Sequence, residues 1–335
     1  MAMSTASDAR PDADVLASLT GGSLSRRRKV RNGAASVMMV LAFLAAAVPL
    51  FVMGAQVLAQ GISAVANVDW WTQPIPETGR ADLSGNTDLA DLGFGASSAS
   101  DGSSGSAASS KVVLGMAPAI VGTLLTVLGA SALAIPIGIL GAVYLHEYGK
   151  TGRLARFIRF MTDVMSGVPS VVMGVFIFTV WVLPRGVSGK SAWAAALALA
   201  CLMLPIVVRS TEEMLRLVPD SLREASAALG TRTWKTTVKV VLPAAVAGIT
   251  SGALLAVARA AGETAPVVFV IGFVTTVNAS FSGQNTTLSA QIYGQQQAGG
   301  ALAQQLAWGA AVTLIAIVLA LTLIARAIAR RFSNV

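Results

Sequence analysis

The chain has 335 residues, of which 54% are hydrophobic and 12% are charged, a balance that excludes an ordinary soluble domain and indicates several membrane spans. Its formal net charge of +8 does not point to nucleic acid, because the basic residues lie between apolar runs rather than on a polar domain. The single cysteine, Cys201, excludes both an intrachain disulfide and a cysteine metal cluster.

Apolar runs predict an all-α membrane protein with six transmembrane helices. Residues 1–31 are predicted to be a cytoplasmic tail, and residues 32–60 the first transmembrane helix, because this run is longer than the apolar core of a signal peptide. Residues 61–111, rich in Gly, Ser and Asp, are predicted to form an external loop without chemistry of its own. The other five runs cover about residues 112–145, 164–184, 191–208, 244–277 and 305–325.

Basic residues concentrate on one side of this six-span arrangement. They occupy the N-terminal tail, residues 150–159, residues 209–239 and the C-terminal tail at 327–335. Because Lys and Arg collect in cytoplasmic loops, both termini are predicted to be cytoplasmic. Within the first of these loops, Leu154, Phe157, Ile158 and Met161 repeat at helical spacing, which predicts a short interfacial helix resting on the membrane or on a partner.

The loop between spans four and five, residues 210–243, is predicted to form a helix, a break and a second helix. Ser221 and Glu224 have the spacing of a capping box at the start of the first helix. Gly230 supplies the left-handed backbone that ends it. Apolar residues are predicted to share one face of each helix, with Leu222, Ala225 and Leu229 on the first and Trp234, Val238 and Val241 on the second.

This loop resembles the Glu-Ala-Ala loop of binding-protein-dependent ABC importers. Glu224, Ala225 and Gly230 stand at the matching places, whereas Ser226 stands where a second Ala is usual. The resemblance implies that the loop docks onto a separate cytoplasmic ATPase, which would bind ATP and Mg, and that this chain holds no cofactor. The alternative is a helical hairpin without a partner. The Walker-like string at 186–191 is a decoy, because Pro184 replaces its first glycine and no strand precedes it.

Two opposite charges lie inside the apolar run of span five. Arg259 and Glu263 are four residues apart and can pair on one helix face. Gly262 and Pro266 are expected to bend or open the helix beside them. A charge beside a helix break is typical of a midplane substrate site, and the planar donors of Arg suit an oxyanion. The alternative is an ion pair that only holds helices together.

The string from Arg259 to Pro266, Arg-Ala-Ala-Gly-Glu-Thr-Ala-Pro, resembles the signature of permease subunits of phosphate-specific transport (Pst) systems, and the PstA type more than PstC. Supporting strings are Tyr144–Tyr148 and Gly167–Gly174, and the likeness covers about residues 112–330. It implies a type I ABC importer (MetI-like) bundle over residues 112–326, in the plasma (inner) membrane of a bacterium. It also implies that phosphate passes beside Arg259, Glu263 and Thr264.

The same resemblance implies the partners. They are a homologous PstC-like permease as heterodimer, a PstB-like ATPase dimer, and an external PstS-like protein that delivers inorganic phosphate. The Gln-rich stretch 284–305 is predicted to be external and to meet that binding protein. Three alternatives stay open: an importer of sulfate or molybdate, a membrane scaffold in phosphate signalling, and an ion-coupled carrier acting alone.

Overall fold

A computed structural model of the chain describes residues 26–76 and 114–333, and every regular element in these ranges is helical. The chain divides into two compact units, residues 1–56 and 57–335. The helices are α1 (Arg26–Val65), α2 (Val68–Thr72), α3 (Ala117–Val143), α4 (Arg153–Gly167), α5 (Ser170–Ile177), α6 (Ala192–Arg216), α7 (Asp220–Ala228), α8 (Thr233–Thr236), α9 (Leu242–Gly262), α10 (Ala265–Val270), α11 (Leu288–Ala298) and α12 (Gly300–Ser333).

Wider π-helical turns extend three of these helices. They follow α3 at Tyr144–Gly149, α5 at Phe178–Val182 and α8 at Thr237–Val241. A tighter turn, Leu183–Gly189, then leads from the α5 extension towards α6. The Walker-like string therefore begins in a turn that no strand precedes, which agrees with its interpretation as a decoy.

Five helices in the described ranges are long and apolar enough to cross a membrane, and the number is six if a bent pair counts as one span. That pair is α4 with residues 170–186, and its two parts meet at 106°. The predicted all-α membrane bundle is therefore confirmed. Several boundaries differ from expectation. Helix α6 continues to Arg216, and the helix of span five ends at Gly262, well before residue 277. Helix α12 runs from Gly300 to Ser333, beyond the predicted span at 305–325 and into the predicted tail at 327–335.

Small residues build the core of the larger unit. Ala134 of α3 and Ala194 and Ala198 of α6 are fully buried. A Cβ at Gly138 of α3 would lie only 2.7 Å from the Val207 side chain of α6. Such small side chains let helix backbones approach closely, which is how helices pack where lipid removes the hydrophobic driving force. The close approach fixes α3 and α6 as the central pair, against which α9 also packs.

The predicted external loop at residues 61–111 is helical at its start, so its first boundary is wrong. Helix α1 continues to Val65, and α2 buries Trp70 completely. The Trp70 indole nitrogen donates a 2.8 Å hydrogen bond to the Thr313 hydroxyl of α12. A Cβ at Gly309 would lie 2.5 Å from the indole ring, so that glycine makes room for it. The rest of the predicted loop, residues 77–113, lies outside the described residues, as do residues 1–25.

Helix α4 forms as predicted, but its basic face is not uniformly solvated. The Arg159 guanidinium turns towards the bundle, with its Nη2 2.9 Å from the Glu212 carboxylate of α6. Leu154, Phe157 and Met161 stay exposed, so the predicted apolar face is directed away from the protein core. Its contact with membrane or partner stays a prediction.

Candidate functional site

The helix of span five breaks completely beside its two charges. Helix α9 ends at Gly262, and the backbone of Glu263 is extended, with φ −71° and ψ 127°. Helix α10 then begins at Ala265, which places Pro266 in its first turn. Amides of a first helical turn have no acceptor within the helix, so proline costs nothing there. The predicted opening of the helix therefore occurs, and the proline starts a new short helix after it.

Arg259 and Glu263 are brought together across this break, as their spacing predicted. The Arg259 Nε lies 3.5 Å from the Glu263 Oε1. The arginine side chain is 67% exposed and the glutamate side chain 20%. At 3.5 Å the contact is longer than a charge-assisted hydrogen bond, and the guanidinium makes no hydrogen bond to any residue that the structure describes. The arginine is therefore held near the break while its donors remain available to an anion.

The face of α9 that carries Arg259 is open and mostly lined by small residues. Its exposed positions, spaced by three or four residues, are Ala244, Ala247, Ser251, Leu255 and Arg259. The exposed face of α12 instead carries Ile315, Leu319 and Leu323, the large apolar residues expected against lipid. An open face with small side chains and one cation suits one wall of a polar path whose other wall comes from a second subunit.

Two residues behind the break hold it in place, and the sequence did not reveal their role. The Ser289 hydroxyl of α11 donates to the backbone carbonyl of Glu263 at 3.1 Å. Gly174 of α5 lies so close to α10 that a Cβ there would be 2.6 Å from the Cα of Pro266. The motif strings at 167–174 and 259–266 therefore contact each other in the structure. The sequence had marked both strings as motifs of the same family, but it gave no sign that Gly174 contacts the break. Thr264 lies in the break itself, partly buried.

The hairpin formed by α7, Gly230, α8 and its extension to Val241 has the predicted helix–break–helix form. Gly230 has φ +73° and ends α7 as expected. The predicted capping box is wrong. Helix α7 begins at Asp220 with Pro219 in the cap position and without a side-chain cap, so Ser221 is already inside the first turn. A proline, whose side chain offers no acceptor, displaced the start of the helix by two residues from Ser221.

The hairpin presents its apolar residues outwards. Leu222 is 41% exposed, Leu229 84% and Trp234 52%. Glu224 and Ala225 are also exposed. Among the six residues predicted to form apolar faces, Val241 alone is buried. Exposed leucine and tryptophan at the end of a helical hairpin are typical of a surface that binds a partner.

Ser226, the departure from the usual Glu-Ala-Ala pattern, has a specific place in the hairpin. Its hydroxyl lies 2.5 Å from that of Thr231 and 2.8 Å from that of Thr236, and the two threonine hydroxyls are 3.0 Å apart. The three hydroxyls join the end of α7 to the start of α8. Serine at this position therefore closes the hairpin with hydrogen bonds that an alanine could not make.

A second missed feature lies between the hairpin and the end of α3. Arg223 of α7 contacts Glu147 at 2.9 Å, beside a cavity of about 680 Å³ that Arg216 and Lys150 also line. The His146 Nε2 lies 3.3 Å from the Arg223 Nη2. Within the described residues no group of three or more His, Cys, Asp or Glu side chains could hold a metal.

The Gln-rich stretch is mostly helical, because residues 288–298 form α11 and residues 300–305 begin α12. Gln291 and Gln295 are buried, and the side-chain Nε2 of Gln295 donates to the side-chain Oε1 of Gln291 at 3.2 Å. Asn285, at the start of this stretch, is also buried, with 1% of the residue exposed. The first part of this stretch therefore serves packing, since residues 285–291 are buried, whereas residues 296–301 are exposed. Its contact with a binding protein stays a prediction.

Comparison with known proteins gives the family. Residues 134–334 match the model of the binding-protein-dependent transport system inner membrane component. A phosphate transport system permease protein PstA of Mycobacterium leprae is 41% identical over 271 residues, covering 81% of this chain and 79% of that protein. PstA of Yersinia pestis is 48% identical over 155 residues, covering 46% and 52%.

Solved structures agree on the fold. A chain of the inward-facing MetNI methionine ABC transporter has a TM-score of 0.50 at 21% identity, over 63% of this chain and 91% of its own. A chain of a bacterial alginate ABC importer has a TM-score of 0.50 at 14% identity, and the match covers 91% of this chain and 96% of that chain. The expected MetI-like bundle is therefore confirmed, and with the family match over most of the chain, this protein belongs to the binding-protein-dependent transport system inner membrane components.

Proposed function

We propose that this chain is one half of the membrane pathway of an ATP-driven importer of inorganic phosphate. The observation that carries the proposal is Arg259, exposed at a helix break on a face whose other exposed residues are mostly small. The relatives named as phosphate permeases support phosphate as the cargo. The planar guanidinium fork matches two phosphate oxygens, and Glu263 holds the fork near the break until the anion arrives.

The pathway needs a second wall, because the Arg259 face is open in this chain. We assign that wall to a homologous PstC-like permease, so that the site lies between two subunits. A buried site would hold the arginine from several sides, whereas 67% of its side chain is exposed here. The proposal thus places Arg259, Glu263 and Thr264 along the path, and Gly262 and Pro266 at the break that opens backbone groups to it.

Energy enters through the hairpin in this proposal. Glu224, Ala225 and the exposed leucines dock on a PstB-like ATPase dimer, which binds ATP and Mg, while this chain performs no chemistry itself. Ser221 lies beside this docking surface, and Gly230 fixes the angle between α7 and α8. Movement of the hairpin then opens the path to one side at a time. Both termini are cytoplasmic in this arrangement, and a PstS-like protein delivers phosphate from outside.

The experiment is purification of the chain from membranes with its associated proteins, followed by transport in liposomes. We expect a second permease and an ATPase to copurify, and phosphate uptake to require the external binding protein and ATP. Unlabelled phosphate should compete with the uptake, and sulfate or molybdate should not. Preferred uptake of sulfate or molybdate would replace phosphate as cargo. Transport by the purified chain alone, or normal phosphate uptake in cells that lack it, would refute the proposal.

A further inference from the structure

The hairpin is tied to the end of α3 through one arginine. Arg223 donates from Nε and Nη2 to the Glu147 Oε1, at 3.2 and 2.9 Å. Its Nη1 and Nη2 also donate to the backbone carbonyls of Val218 and Leu215, at 2.8 and 3.0 Å. Two side-chain donors on the carboxylate and two bonds to carbonyls fix the guanidinium in one orientation. Arg223 therefore connects α7, the end of α6 and the end of α3.

The pair is well shielded compared with the rest of the hairpin. The side chain of Arg223 is 19% exposed and that of Glu147 only 9%. An ion pair with this burial is screened little by salt, and removal of one partner leaves the other charge poorly solvated. Glu224, the next residue, is exposed. Neighbouring positions of α7 thus have different surroundings, because Arg223 contacts the end of α3 whereas Glu224 is exposed.

Glu147 belongs to a turn that is held from its other side as well. It lies in the π-helical turn Tyr144–Gly149 that continues α3. Arg159 of α4 donates to the carbonyls of Leu145 and Lys150 of this region, at 2.9 and 2.7 Å, and contacts Glu212 of α6. A turn fastened by two arginines moves as a unit with the elements that supply them. Displacement of α7 would therefore reach α3 without being absorbed locally.

We propose that the Arg223–Glu147 pair is the joint through which movement of the hairpin reaches α3. The hairpin is joined covalently to α6 at its start and to α9 through its extension to Val241, and this pair adds a connection to a third helix, α3. Since α3 packs along α6, both helices would follow one displacement. Arg223 and Glu147 are positioning residues in this role, which rests on the proposed function.

Glu147→Gln tests the joint with little disturbance of the hairpin. It removes the charge between the two elements but leaves the Arg223 bonds to Leu215, Val218 and Asp220 within its own segment. Asp220→Asn is the matched control. It also removes a carboxylate that contacts Arg223, at 3.0 Å, but this carboxylate lies on the same helix and its side chain is 86% exposed. The readout is phosphate transported per ATP hydrolysed by the reconstituted full complex.

We expect Glu147→Gln to lower phosphate transported per ATP by about tenfold, within the range of coupling between two sites of a protein, while ATP hydrolysis continues. Asp220→Asn should stay within about twofold of wild type, because exposed ion pairs contribute little. Equal transport per ATP in the two variants would overturn the proposal. So would a Glu147→Gln complex that loses assembly, hydrolysis and uptake in proportion, since the pair would then be structural only.

A second measurement separates this inference from the identity of the cargo. Spin labels at Leu140 of α3 and Leu319 of α12, both exposed, report movement of α3. If the wild-type complex carries no phosphate, the proposed function fails, and the joint is judged by this distance alone. Loss of the ATP-dependent distance change in Glu147→Gln supports the joint. Persistence of that change in the variant, or its absence from the wild type, overturns it.

Discussion

Gly174→Ala is expected to impair the break in span five, although residue 174 lies on another helix, because the new methyl group would press against Pro266. A Cβ at residue 174 would lie 2.6 Å from the Pro266 Cα and 2.9 Å from its carbonyl oxygen. Carbon atoms in favourable contact are about 3.5 to 4.0 Å apart, so α5 and α10 must separate by about 1 Å. The neighbouring atoms are backbone and cannot rotate away. Overpacking of this kind costs about 1–3 kcal/mol.

The consequence for transport follows from the position of Pro266, two residues after Thr264. A displacement of about 1 Å at a site that must align several groups lowers its rate by roughly 10- to 100-fold. The assay is uptake of labelled phosphate by the reconstituted complex, with thermal unfolding measured on the same preparation. Gly167→Ala is the matched control, because a Cβ there meets nothing within 4 Å. Equal uptake in the two variants would refute the claim that α5 positions the break.

Two further predictions concern the hairpin. Ser226→Ala should destabilise it by about 1 kcal/mol, because Thr231 and Thr236 keep their mutual bond, whereas the exposed Ser221→Ala should change stability by less than about 0.5 kcal/mol. Hydrogen exchange of the hairpin amides would measure both, and equal protection would contradict the hydroxyl cluster. Gly230→Ala should destabilise the hairpin by about 1 kcal/mol through the positive φ alone, because a Cβ there meets nothing within 4 Å. This variant should also lower the phosphate transported per ATP. Gly230→Asn should have a smaller effect on both, because asparagine tolerates a positive φ better than alanine. Unchanged transport per ATP in both variants would indicate a hairpin without a coupling role.

Hydropathy predicted the spans well because an apolar run of about 20 residues has few stable alternatives in a membrane. The break at Gly262–Thr264 was also predictable, since charges and a proline interrupt that run. The positions of Arg259 and Glu263 followed from helical spacing alone. What composition could not give was the fate of segments that look polar but are buried by their neighbours.

Helices α2 and α11 illustrate that limit. Val68–Thr72 is too short to be predicted from periodicity, and Trp70 becomes a core residue only because Gly309 and Thr313 of a distant helix receive its ring. Gln291 and Gln295 look solvated in sequence, yet both are buried, where the Gln295 Nε2 donates to the Gln291 Oε1 and the Gln291 Nε2 donates to the Thr286 hydroxyl. Thr313 lies 243 positions from Trp70 in the chain, so no local pattern could reveal that contact.

The coupling end shows the same effect for charges. In the sequence, Arg223 is compatible with a solvated helix face, and Glu147 lies in the string Tyr144–Tyr148, whose residues indicate no particular chemistry. Only the fold brings these residues 76 positions apart into contact. The prediction of a capping box at Ser221 was wrong for a local reason. Helix α7 begins at Asp220 with Pro219 as its N-cap, so Ser221 lies inside the first turn and not at the cap position.

The most direct test of the account replaces the arginine at the break. In the reconstituted complex, Arg259→Gln should lower phosphate uptake by at least about 100-fold, because charged hydrogen bonds to the anion are lost, while assembly with the partner permease and ATPase survives. Arg259→Lys should restore only part of the rate, since a lysine keeps the charge without the planar fork. Arg153→Gln, which changes an exposed arginine of α4, should transport normally. Uptake at the wild-type rate by a fully assembled Arg259→Gln complex would contradict the assignment of the phosphate path to this face of α9.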